Sequence, residues 1–130
     1  MLVREAGIDA GFGYDPAPGA IADARRLSGD PPLTFEAADT VPAGWDGFGA
    51  AFSHEVLYLL HDLSSHATAI HRSLAPGGVY YAVMGMHAGS QGMADWHADN
   101  AQRLDLPPLY SLDEVVRAFT EVALERRRRG

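Results

Sequence analysis

The sequence has no cysteine, which excludes a disulfide framework and any zinc site built on thiolates, and makes a reducing compartment acceptable. No run approaches about eighteen consecutive apolar residues, so no segment reads as a membrane-spanning helix. The first residues also lack the basic region and apolar core of a secretion signal, and the expected location is the cytoplasm. Positive charge is scarce. Ten Lys and Arg against seventeen Asp and Glu give a net charge of -7 at pH 7, which disfavours broad attraction to nucleic acid or anionic lipid. The local exception is Arg126, Arg127, Arg128 and Arg129, which reads as a frayed, solvated tail, with contact to phosphate or a membrane surface as the alternative.

What is present is an ordinary globular composition. With 47% hydrophobic and 21% charged residues, a chain of 130 residues can bury a packed core and is expected to fold as one unit. Met1 to Gly7 resembles the end of a helix. Ala10 to Tyr14 is a short apolar run closed by Asp15, after which Pro16-Ala17-Pro18 stops a strand and pre-sets a helix carrying Ile21, Ala24 and Leu27. Ser28 to Pro32 is a turn by composition, and Leu33 to Ala37 is the next strand. Phe48 to Ser53 reads as a buried parallel strand. Val56, Leu60, Leu63, Ala67, Ile70 and Leu74 recur at steps of four and three, predicting one long helix with a buried stripe, ended by Pro76-Gly77-Gly78. Val79 to Met84 is β-branched and aromatic and predicts another strand, whereas Gly85 to Tyr110 has no period and reads as a long irregular insertion. Ser111-Leu112-Asp113-Glu114 has the form of a capping box opening a helix with Leu112, Val115, Val116 and Phe119 on its buried face. Val122 to Leu124 reads as a last short strand. This alternation predicts an α/β protein with a mostly parallel sheet flanked by helices.

The histidines do not form a metal signature. His61, His66 and His71 are five apart, which scatters them around a helix as surface residues. His54, His87 and His97 fall near strand ends, yet no carboxylate sits at a recognised ligand spacing, so no metal is expected. His87, Trp96, His97 and Tyr110 are candidates for a substrate pocket, against the alternative that Trp96 and Tyr110 pack on the sheet.

Two segments carry a family resemblance. Gly13-Tyr14-Asp15-Pro16-Ala17-Pro18-Gly19-Ala20-Ile21, with Ala24-Arg25, is one. The other runs from Phe48 through Phe52-Ser53-His54-Glu55-Val56-Leu57-Tyr58-Leu59 to Leu74-Ala75-Pro76-Gly77-Gly78-Val79-Tyr80-Tyr81. In this order, with an Asp39-bearing turn between them, they resemble the Rossmann-like core of class I S-adenosylmethionine-dependent methyltransferases over roughly Ala10 to Met84. The resemblance implies S-adenosylmethionine as cofactor, with Asp15 and Pro16 at the ribose, Asp39 and Thr40 at the adenine, and Ser53 and His54 facing the methionine part and the substrate mouth; the alternative is that Asp15 before Pro16 caps a turn and that Asp39 is an ordinary exposed turn residue after a strand. It implies a base such as His54 or His87 if the methyl acceptor is a hydroxyl. Glu55 would cap the long helix, whose amino end favours an anion. Gly49 stands where the family usually has Asp, and Asp46 lies three residues earlier.

The family holds the amino-acid part of the cofactor on a glycine-rich loop roughly twenty residues before the acidic strand end. Only fourteen residues precede Asp15 here, so the resemblance implies a single partial domain over 1–130 without the first strand and its loop. The expected function is S-adenosylmethionine-dependent methyl transfer to a small-molecule acceptor, preferred over nucleic acid because no basic-aromatic stripe is present. A second chain could complete the sheet. The alternative is a non-catalytic Rossmann-like remnant or interaction module, and a nicotinamide-linked oxidoreductase is disfavoured by the Leu74-Ala75-Pro76-Gly77-Gly78 segment.

Overall fold

The computed structural model describes residues 9–28, 33–85 and 87–129, so the helical reading of Met1 to Gly7 and the turn at Gly29 to Pro32 lie outside the described residues. The chain divides into two compact units, Met1–Trp45 and Asp46–Gly130.

Among its described residues the first unit holds a strand, a helix and a second strand: β1 (Gly11–Asp15), α1 (Pro18–Leu27) and β2 (Leu33–Ala37). The strands pair in parallel, from Gly11 opposite Leu33 to Asp15 opposite Ala37. Proline lies in the first turn of α1, where its missing N–H costs no helical bond. Ile21 is the buried contact of α1, while Leu27 is 73% exposed, contrary to the spacing argument. The reason is geometric. Steps of three residues drift by about 60° each around a helix, so Leu27 has left the face that Ile21 occupies. Arg25 lies four residues after Ile21, and its Nε and Nη2 donate to the Phe35 carbonyl at 3.1 and 2.6 Å, fastening α1 to β2. Gly13 makes room for the Phe35 ring, since a Cβ there would lie 2.9 Å from it. On alternate positions of β1, Phe12 and Tyr14 meet the Trp45 ring edge-on, with centroids 5.1 and 6.4 Å apart.

The second unit holds β3 (Phe48–His54), a 3-10 turn (Leu57–Leu59), α2 (Leu63–Ser73), β4 (Leu74–Val83), α3 (Gln91–Asn100) and α4 (Leu112–Arg129). β3 and β4 are parallel, with Ala51 opposite Tyr80 and His54 opposite Val83. The predicted long helix is broken. Asp62 accepts from the Ser65 N–H at 2.9 Å and from the Ser65 hydroxyl at 2.8 Å, an N-cap that starts a new helix at Leu63. Leu63, Ala67 and Ile70 of the predicted stripe are buried as expected, but so is Leu57, which lies off it. α2 ends at Ser73, and Leu-Ala-Pro-Gly-Gly belongs to β4 instead of a free turn. Pairing jumps from Phe48–Leu74 to Ala50–Val79, and Gly77 takes a φ of 80° inside that irregularity.

The capping box forms as predicted: Glu114 N–H donates to Ser111 Oγ at 3.1 Å and Ser111 N–H to Glu114 Oε1 at 3.2 Å. From there α4 runs to Arg129, so Val122 to Leu124 are helical and the arginines form its last turn instead of a frayed tail. Val115, Ala118, Phe119 and Val122 follow helical spacing, and Phe119 stacks on Tyr80 with centroids 5.0 Å apart. Leu112 and Val116, assigned to the buried face, are 51% and 64% exposed. α2 and α4 pack together. The predicted irregular insertion contains α3, which buries no residue fully and so left no apolar period to detect. Among the described residues, no helix is long and apolar enough to cross a membrane.

Candidate functional site

In sheets of this kind ligands bind beyond the carboxyl ends of the strands. In the first unit those ends carry four of the predicted residues. Asp15 closes β1 with an exposed side chain whose Oδ1 accepts from the Ala17 N–H at 2.8 Å. Ala38 N–H donates to the Asp15 carbonyl at 3.1 Å, which ties the residue before Asp39 to the end of β1. Asp39 and Thr40 form an exposed bend there, and Pro16 is exposed beside Asp15. A carboxylate has about four acceptor positions, so the turn occupies one and leaves Asp15 able to take two vicinal hydroxyls.

In the second unit Ser53 and His54 end β3 and alternate faces. His54 is exposed. Ser53 Oγ lies 2.6 Å from Tyr80 OH, and Tyr80 OH lies 3.3 Å from His66 Nε2. Desolvation raises the Tyr80 pKa, against the lowering effect of Ser53, and lowers that of His66. His66 is therefore a half-buried member of a polar chain and not a surface residue. Its position was invisible in the sequence because it depends on the register that sets Tyr80 opposite Ala51.

His87 is half-buried, and its Nδ1 lies 3.1 Å from the Gly89 N–H. A backbone amide only donates, so the neutral ring carries its proton on Nε2 and presents a donor there. Glu55 does not cap a helix. It has a φ of 56°, its N–H donates to the Val83 carbonyl at 2.8 Å, and its Oε1 accepts from the Gly85 N–H at 2.6 Å.

The remaining pocket candidates mostly hold backbone. His97 Nε2 lies 2.7 Å from the Pro107 carbonyl, and Tyr110 OH donates to the Leu60 carbonyl at 2.6 Å. Trp96 on α3 is partly exposed. Desolvation raises the Tyr110 pKa, with smaller contributions from Asp62 and Glu114. Among the described residues, no group of three or more His, Asp or Glu could hold a metal ion. A cleft of about 620 Å³ lined by Ser64, Thr68, His71, Glu121 and Glu125 lies between α2 and α4 and carries none of the predicted site residues.

The family model described as "Methyltransferase domain" matches residues 2–82. Among solved structures, the chain is similar to a chain solved in complex with the Haloferax volcanii Trm112 methyltransferase activator. Identity is 26% and the TM-score 0.81, over 93% of this chain and 53% of that one. The chain thus spans about half the length of the structure it matches. No curated protein matches it.

Proposed function

Because the match over residues 2–82 covers more than half of the chain, the chain belongs to the Methyltransferase domain family, and we propose that it transfers a methyl group from S-adenosylmethionine to a small-molecule acceptor. The family match carries this reading. The donor set at the end of β1 supports the cofactor, since Asp15 keeps acceptor capacity beyond its bond to Ala17. Asp15 and Pro16 would hold the ribose, and Asp39 and Thr40 the adenine. Ser53 fits less well, because its hydroxyl is engaged with Tyr80.

When bound, S-adenosylmethionine supplies a methyl group already activated by its sulfonium, so the protein's share is binding and orientation. His54, exposed at the end of β3, takes the proton of a hydroxyl acceptor on its ring. His87, with its proton on Nε2, donates to the acceptor and orients it. A net charge of -7 supports a small molecule over nucleic acid. The proposed location is the cytoplasm. The similar chain was solved with an activator protein, and this chain is proposed to work with a second chain as well.

The test is calorimetry with S-adenosylmethionine, followed by detection of S-adenosylhomocysteine when small hydroxyl-bearing acceptors are added, with and without a candidate activator protein. Binding followed by acceptor-dependent product supports the reading. Absence of both in every combination would leave an interaction module as the better account.

A further inference from the structure

Glu55 stands at the carboxyl end of β3 in a left-handed backbone conformation that few residues with a Cβ adopt. A glycine would take that φ without strain, so a side chain in such a place calls for a use. Its use is visible. The Glu55 N–H donates to the Val83 carbonyl at 2.8 Å and its carboxylate accepts from the Gly85 N–H at 2.6 Å, so one residue holds the last residue of β4 and the segment that leaves it, on either side of Met84. The second bond is short and charge-assisted. The fit is close, since a Cβ on Gly85 would lie 3.1 Å from Glu55 Oε1. The two segments joined are those that bear the candidate histidines: His54 immediately precedes Glu55, and His87 follows Gly85 by two residues.

We propose that Glu55 is a positioning residue for methyl transfer, whose carboxylate, closed on the Gly85 amide, holds the segment leaving β4 against the end of β3 and thereby fixes His54 and His87. The role in methyl transfer rests on the proposed function; the clasp itself does not. Strain and carboxylate can be separated. E55G relieves the backbone and removes the clasp, E55A keeps the strain without the clasp, and E55Q keeps an oxygen that accepts from Gly85.

The experiment uses the full chain labelled with ¹⁵N and ¹³C, observing the Gly85 amide and the ring signals of His54 and His87 by NMR without cofactor. Loss of the clasp in E55A and E55G should speed Gly85 amide exchange by about tenfold or more and displace both sets of ring signals, while E55Q restores them. Faster exchange with unmoved rings would make Glu55 a local tie only and overturn the proposal. Unchanged exchange would overturn it too, because the clasp would then be absent in solution. Should E55A and E55G unfold, E55D decides, because its side chain is one methylene too short to reach the Gly85 amide: faster Gly85 exchange with displaced rings supports the proposal, and unmoved rings overturn it. Failure to bind S-adenosylmethionine is a separate measurement and bears on the proposed activity, not on the clasp.

Discussion

At the scale of single residues, the proposed cofactor contact depends most on Asp15. Its Oδ1 already serves the turn by accepting from Ala17, and the amide oxygen of Asn can do the same. Asp15→Asn therefore separates folding from binding. It removes the charge-assisted part of a ribose interaction, about 1.5 to 3 kcal/mol, so affinity for S-adenosylmethionine should fall roughly ten- to a hundred-fold with little change in Tm. Unchanged affinity beside a lowered Tm would make Asp15 a turn residue alone. A different kind of residue effect is expected at His66. Burial pushes its pKa below the ordinary 6.5, so the unfolded chain takes up this proton before the folded one does. The stabilising preference is fully present above about pH 6.5 and is lost as pH falls through the folded value. Thermal melts should show Tm dropping more steeply with acidification in the parent than in His66→Gln, which cannot titrate. Parallel curves would place the His66 ring in water.

At the scale of elements, the core of α2 can be probed at its two ends. Burying one leucine or isoleucine contributes about 1.5 to 3 kcal/mol, and a carboxylate in its place adds the cost of an unpaired charge. Leu63 lies in the first turn, where the helix dipole partly accommodates a negative charge, whereas Ile70 lies near the carboxyl end, where the dipole opposes it. Ile70→Asp should therefore destabilise more than Leu63→Asp in urea denaturation followed by circular dichroism, and equal losses would show that the dipole contributes nothing measurable. The same helix marks where sequence reading stopped. The strands were legible because Asp15-Pro16, Pro31-Pro32 and Gly47 punctuate short apolar runs. The break before α2 was not, because the stripe from Val56 to Leu74 ran through it and outweighed one capping Asp62-Ser65 pair. α3 and the extension of α4 were missed for opposite reasons. The first has no fully buried face, and the second continues past a three-residue apolar run that passes for a strand. The positions of Asp15 and His54 at strand ends, and of Asp39 just beyond one, were legible because strand ends are. Glu55 was seen but misassigned, since its partner Gly85 is thirty residues away.

At the scale of the whole molecule, charge bears on the class of acceptor. The chain carries -7 overall, yet its basic residues are not evenly spread: Arg126 to Arg129 form the last turn of α4, where the negative end of the helix dipole favours cations. Two outcomes compete when a polyanion is offered. Long-range repulsion by the acidic chain opposes approach, while the arginine turn attracts phosphate over about one Debye length, near 8 Å at physiological salt. A contact of at most four phosphates is steeply salt-dependent, because each releases a counterion to the bulk. A fluorescent single-stranded oligonucleotide should thus show weak binding at low salt that disappears by about 0.15 M, and the paired change Arg127→Ala and Arg128→Ala should remove even that. Fluorescence anisotropy across a salt series reads both effects. Binding that survives at that salt, or that persists without Arg127 and Arg128, would mean that a surface other than the arginine turn recognises nucleic acid, and would turn the search for the methyl acceptor from small molecules to RNA or DNA.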